Sequence, residues 1–124
     1  MFAQVFRLMD VRCTLKKNSD FRRLYAKGRN AVTPFLVVYC RRNREKVNRL
    51  GYTVSTKLGH AVVRNRVRRR LREIYRLNAP ALRSGYDIVI VARSRCVEAE
   101  YGQIERAFLK ACGKLELIVG EAEG

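Results

Sequence analysis

A chain of 124 residues, 48% of them hydrophobic, is one domain's worth of sequence, long enough to bury a core and too apolar for wholesale disorder. Its 27 Lys and Arg against 11 Asp and Glu leave a formal net charge of +16, so a polyanion is the expected partner. The longest apolar run, residues 86–92, is interrupted by Asp87 and falls well short of the roughly 20 residues of a membrane span, and residues 1–12 have neither the apolar stretch nor the cleavage site of a secretory signal.

In chain order, residues 1–14 show no period and read as a flexible end. Asn18 or Ser19 is the expected N-cap of a short helix over 19–27, with Phe21, Leu24 and Tyr25 at helical spacing and Gly28 as its C′ residue. Residues 35–41 (FLVVYCR) predict a strand with Phe35, Val37 and Tyr39 on one face. The polar RNREKVN reads as a hairpin loop, and residues 49–56 (RLGYTVST) as the paired strand. After a turn at Lys57–Gly59, a helix is expected over 61–77, then a loop marked by Pro80 and Gly85. Residues 86–92 (YDIVIVA) predict a central, buried strand. A second long helix is expected over 97–117, with Val97, Tyr101, Ile104, Phe108, Cys112 and Leu115 on its apolar face. Residues 119–124 read as a flexible end. The order αββαβα, with room for one more short strand beside the first helix, describes an α+β fold, a small sheet sandwiched by helices in one domain.

The charge is uneven. Residues 1–78 hold 21 basic and 4 acidic residues, whereas 79–124 hold 6 and 7, so a basic side and a neutral side are expected. No pair of Cys13, Cys40, Cys96 and Cys112 has zinc-ligand spacing, and His60 is the sole histidine, so no metal site is expected in the protein. Cys40 and Cys112 sit in apolar patterns and read as reduced, buried thiols, which points to the cytoplasm.

The segment HAVVRNRVRRRLREIYR is the most informative. Val63, Val67, Leu71 and Ile74 make one narrow apolar stripe. The other faces carry Arg64, Arg66, Arg68, Arg69, Arg70, Arg72 and Arg76 against Glu73. Like charges four apart cost a few tenths of a kcal/mol per pair, so a solvated face would mix signs. Arginine throughout suits bidentate phosphate contacts and stacking on bases, and with the apolar stripe given to the core, nucleic acid is the expected partner of this helix, not a membrane.

At these residues the chain resembles a known family. The run from Val54 to Arg69 (VSTKLGHAVVRNRVRR), with Arg64-Asn65-Arg66 at its centre, resembles the signature of the bacterial ribonuclease P protein subunit. The likeness extends to Leu15–Phe21 and Gly28, to Leu36–Tyr39 and Arg49–Ser55, and to Tyr86–Arg93, about residues 12–117 in all. It implies a central sheet with a left-handed βαβ crossover. It also implies that the protein assists a catalytic RNA in the Mg²⁺-dependent removal of the 5′ leader from precursor tRNA.

Carried over by residue, the resemblance assigns Arg64, Asn65, Arg66, Arg68, Arg69 and Arg72 to the RNA subunit. It assigns Phe21, Tyr25, Tyr39, Thr53, Ser55 and Lys57 to a cleft for the single-stranded leader, with Lys16, Lys17 and Arg22 as further phosphate contacts. Aromatics beside a basic helix would stack bases at about 1–3 kcal/mol each, and strand hydroxyls would bond phosphate or sugar. Where the family commonly has a Lys pair this chain has Thr56-Lys57, and where it often has Asn it has His60.

A protein ribonuclease needs an acid–base pair or a carboxylate cluster holding metal. One histidine and the scattered Asp10, Asp20, Glu45 and Glu73 of the basic part supply neither. No catalytic residue is therefore expected in the protein. Mg²⁺ would be held mainly by RNA phosphates, and no second protein is needed. The alternative is a non-enzymatic RNA-binding module, such as a ribosomal protein or an RNA chaperone.

Overall fold

The computed structural model describes Thr14, Leu15 and residues 17–119. The expectations for 1–13, for Lys16 and for 120–124 lie outside the described residues. The chain runs α1 (Asn18–Lys27), β1 (Arg29–Val32), β2 (Leu36–Arg42), β3 (Arg49–Thr53), α2 (Ala61–Asn78), β4 (Tyr86–Ala92) and α3 (Tyr101–Lys114), with 3₁₀ turns at Thr56–Leu58, Ala79–Ala81 and Ser94–Cys96. The strands form one sheet in the order β1-β2-β4-β3. No helix among the described residues is long and apolar enough to cross a membrane.

The extra short strand beside the first helix is β1, antiparallel to β2. The expected hairpin between 35–41 and 49–56 does not form. β4 lies between β2 and β3, antiparallel to the first and parallel to the second. The reason is burial. Ile88, Val89 and Ile90 are fully buried, so β4 needs cover on both faces and takes the interior of the sheet, while β3, with Gly51 and Thr53, takes an edge. Side chains fix this pairing. Arg49, opposite Asp87 in the register, donates to both its carboxylate oxygens at 2.8 and 2.6 Å. Asn43 donates to the same carboxylate at 2.9 Å and to the Val47 carbonyl at 3.2 Å, which carries the 43–48 loop across the start of β4.

The sheet has two unequal sides. On one, α2 lays Val67, Leu71 and Ile74, and α3 lays Ile104, Phe108, Ala111 and Cys112, over Leu36, Val38, Cys40, Ile88 and Ile90. On the other, α1 is pinned by a small cluster of Leu15, Leu24 and Val89 with Phe21, Tyr39 and Val91 around it. Phe35 packs against the larger cluster, apart from the side shared by Val37 and Tyr39.

Helix ends also depart from expectation. α1 has Lys17 at its N-cap with no side-chain cap, and Gly28 closes it in an extended conformation, its N–H on the Leu24 carbonyl at 2.9 Å. α3 starts at Tyr101, four residues later than expected. Ser94–Cys96 forms a 3₁₀ turn, and Glu100 and Gln103 form a reciprocal capping box that sets the first turn.

Candidate nucleic-acid interface

The cleft expected from the sequence would lie on the open part of the α1 side. Pairing places Tyr39 beside Val89 and Gly51, and Val37 beside Val91 and Thr53, in two adjacent rows across the sheet. α1 covers the first row. A Cβ on Gly51 would meet Phe21 Cζ at 2.6 Å, so the bare glycine is the seat of the Phe21 ring. The second row stays half open, with Val37, Val91 and Thr53 all part-exposed.

Tyr25 spans the two rows. Its ring meets Tyr39 edge-on at a centroid distance of 5.0 Å and lies 6.5 Å from Phe21. Its hydroxyl and Thr53 Oγ1 are 2.6 Å apart. One of these two hydroxyls donates to the other, which leaves one O–H to donate outward to a phosphate or sugar oxygen. Tyr25 is 41% exposed, whereas Leu24 beside it is 1% exposed, so the helix spends one side chain on the core and offers the next to solvent. The structure thus brings Phe21, Tyr25, Tyr39 and Thr53 together. Ser55 and Lys57 follow on the rim. Ser55 Oγ accepts the Lys57 backbone N–H at 3.1 Å, which caps the 3₁₀ turn and leaves the Lys57 side chain exposed. Lys17 and Arg22 are exposed and make no ion pair among the described residues.

The same turn leads into the arginine helix. Gly59 has φ 146°, which L side chains rarely adopt, and a Cβ there would also press on Val63 at 3.1 Å. Its carbonyl accepts from Arg64 Nε at 3.2 Å, which fixes the first arginine against the turn. His60 is the N-cap residue of α2, exposed and without a side-chain cap bond.

Along α2 the arginines divide. Arg70 reaches the Ala99 carbonyl at 3.2 Å and Arg76 pairs with Glu73 at 2.7 Å, both structural contacts. The hydrogen bond from Arg76 holds the Glu73 carboxyl below the usual range. Arg68 donates to Asn65 Oδ1 at 3.0 Å. Arg66, Arg69 and Arg72 are exposed with no hydrogen bond or ion pair among the described residues. Asn65, Arg68, Arg69 and Arg72 line a shallow concavity of about 250 Å³, with three guanidinium groups around a space fit for phosphate oxygens.

Among the described residues no three His, Cys, Asp or Glu side chains converge as metal ligands. Cys40, Cys96 and Cys112 are buried free thiols, and burial pushes Cys112 up to about 12. Sequence reasoning missed Val37 and Val91 as the open floor, Gly51 as the Phe21 seat, and the Arg49–Asp87 clamp. Only the glycine within a strand carried a signal, since such a residue often marks a close approach.

The chain is similar to known proteins over most of its length. The family model described as Ribonuclease P matches residues 9–116. The ribonuclease P protein component of Alkaliphilus metalliredigens is 46% identical over 104 residues, 84% of this chain and 94% of that protein. That of Natranaerobius thermophilus is 42% identical over 105 residues, 85% and 91% of the two chains. Among solved structures, a Staphylococcus aureus RNase P protein mutant with defective mRNA degradation activity superposes with a TM-score of 0.83 at 32% identity, covering 93% of this chain and 98% of that one. The RNase P protein from Thermotoga maritima gives 0.72 at 29% identity, covering 78% and 92%. With its α+β sheet, its arginine helix and a match across nearly the whole chain, this protein belongs to the ribonuclease P protein family.

Proposed function

We propose that this chain is the protein subunit of an RNA-catalysed ribonuclease P in the cytoplasm, and that it binds the catalytic RNA and the 5′ leader of precursor tRNA. The observation that carries the reading is the junction of two surfaces within one short stretch of chain. Thr53, Ser55 and Lys57 line the cleft and its rim, and Arg64 to Arg72 follow directly on α2. The unpaired Arg66, Arg69 and Arg72 neutralise phosphates of the RNA subunit. Phe21, Tyr25 and Tyr39 offer stacking faces to unpaired leader bases, and the Tyr25–Thr53 hydroxyl pair donates to the backbone. The chain contributes no catalytic residue and needs no second protein. It binds and orients, while Mg²⁺ held mainly by RNA phosphates supplies the charge neutralisation at the bond that is cut.

The test is reconstitution with a bacterial ribonuclease P RNA and labelled precursor tRNA at low Mg²⁺, with protein alone and RNA alone as controls. Cleavage at the mature 5′ end in the mixture, and in neither control, is the expected result. Salt-sensitive RNA binding without stimulated cleavage would leave a general RNA-binding module and overturn the proposal. Tyr39→Ala should then spare assembly with the RNA and reduce the preference for precursor over mature tRNA.

A further inference from the structure

A second basic concavity lies at the other end of the sheet. Arg29 at the start of β1, Arg42 at the end of β2, Arg83 and Ser84 just before β4, and Tyr86 at its start line an open space of about 530 Å³ beside Glu116. Tyr86 is five residues from Val91, which pairs with Thr53 in the cleft. At about 3.3 Å per residue the two sites are roughly 17 Å apart along the strand, too far for one phosphate to serve both.

Two of these arginines are held in place by the residues that follow α3. Arg29 donates one nitrogen to the Leu115 carbonyl at 2.6 Å, and Arg83 donates Nε to the Glu116 carbonyl at 3.0 Å. Each guanidinium has five N–H groups, so both keep donors free while their position is fixed. Arg42 has no such anchoring role. It lies 6.0 Å over the Tyr86 ring, is exposed, and makes no ion pair among the described residues. Among the described residues that line it the one carboxylate, Glu116, is 3.9 Å from Arg29 and 83% exposed, so it neutralises little of the positive charge. Bonding the Leu115 and Glu116 carbonyls accounts for Arg29 and Arg83 and leaves Arg42 and the surplus charge unexplained.

We infer that Arg29, Arg42 and Arg83 form a second RNA phosphate site, separate from the arginine helix and the leader cleft. Its ligand is a backbone phosphodiester, from the RNA subunit or from the precursor. The inference rests on the proposed function, because it takes the bound polyanion to be that RNA.

Arg42→Gln and Glu116→Gln test it in opposite directions, and each removes only a surface contact, the Arg42–Tyr86 stack or the exposed Arg29–Glu116 pair. Binding of the intact protein to ribonuclease P RNA is measured against salt, with Arg69→Ala as the reference for the arginine helix. Precursor affinity is then measured with protein and RNA fully assembled. Arg42→Gln should lower the salt slope by about one unit, and Glu116→Gln should tighten binding. A change in the first assay assigns the phosphate to the RNA subunit, and a change confined to the second assigns it to the precursor. If Arg69→Ala weakens binding while both pocket variants match the wild type in both assays, the second site is refuted and the proposed function stands. If the wild-type protein neither binds the RNA nor stimulates cleavage, the proposed function itself has failed and this inference falls with it.

Discussion

Replacing Gly51 by alanine tests whether the cleft depends on how α1 is seated. The added Cβ would lie 2.6 Å from Phe21 Cζ, 2.8 Å from Cε1 and 3.3 Å from Leu15 Cβ. Carbon atoms settle at about 3.5–4.0 Å, so the ring must retreat by roughly 1 Å, and the ring rides on α1. That helix is pinned to the sheet through one small cluster, so it must tilt with Phe21. Overpacking of this kind costs about 1–3 kcal/mol, and the lower entropy of an unfolded alanine returns about 0.5–1. At about 4 °C per kcal/mol for a domain of this size, the remaining cost of up to about 2.5 kcal/mol should lower the melting temperature by up to roughly 10 °C. The tilt would also pull Tyr25 from Thr53 and Tyr39. Thermal melts and the ratio of precursor to mature tRNA affinity in the reconstituted complex would measure both effects. RNA-subunit affinity should hold, because α2 packs on the opposite side of the sheet. An unchanged melting temperature with unchanged discrimination would refute the seat, and parallel loss of RNA-subunit binding would refute the separation of the two surfaces.

Arg69→Ala and Arg72→Ala should each flatten the salt dependence of RNA-subunit binding by about one unit and leave the melting temperature unchanged, since neither side chain has a partner among the described residues; a lower melting temperature would mark them as structural. Asp87→Asn removes the charge that receives both Arg49 bonds and one from Asn43, and should cost about 1.5–3 kcal/mol in urea denaturation; an unchanged midpoint would show that the clamp does not hold the β3–β4 register. Burial raises the Cys40, Cys96 and Cys112 thiols, Cys112 from 9.0 to about 12. Below pH 9 that thiol is neutral in both states and stability is intact; between 9 and about 12 only the unfolded chain gains by ionising, so stability falls as pH rises. Alkylation at pH 8 should accordingly leave all three unmodified until the protein unfolds, and rapid native-state labelling of Cys112 would contradict its burial.

The helices and β4 were legible because burial on one or both sides writes a period into consecutive residues. Val67, Leu71 and Ile74 of α2, and the run from Ile88 to Ile90, are such cases. Strand partners are not written that way. The alternation in 49–56 says that a strand exists but not which strand it joins, and β4, which displaces the expected hairpin, starts thirty residues further on. The late start of α3 was missed because Glu100 is an uncommon N-cap residue, and its reciprocal bonds with Gln103 emerge only with the turn. At the candidate site, Phe21, Tyr25, Tyr39 and Thr53 came from a resemblance, and the structure places them together. What ties them, the bare backbone of Gly51 and the Tyr25–Thr53 hydroxyl pair, depends on distances between segments that local pattern does not carry.

The parallel entry of β3 beside β4 decides how one RNA-protein complex can use both sides of the sheet. The cleft opens on the α1 side, and α2 packs on the other. A β3 running antiparallel to β4 would have ended beside Asp87 and delivered the arginine helix to the far end of the sheet from Val37 and Val91. Because β3 runs parallel to β4, its last residue, Thr53, pairs with Val91 at the open end of the cleft, and the 54–60 turn carries the chain round the sheet's end to α2. Gly59 makes that turn possible and its carbonyl holds Arg64, so the first arginine is oriented by the segment that presents Lys57. Along the chain, a positive track therefore leads from Thr53 through Lys57 and the turn-bound Arg64 to Arg69 and Arg72. Replacing Gly59 by alanine should damage both surfaces at once, unlike any single change within the cleft or on the helix. Loss of one binding activity with the other intact would break the link between the turn and the track.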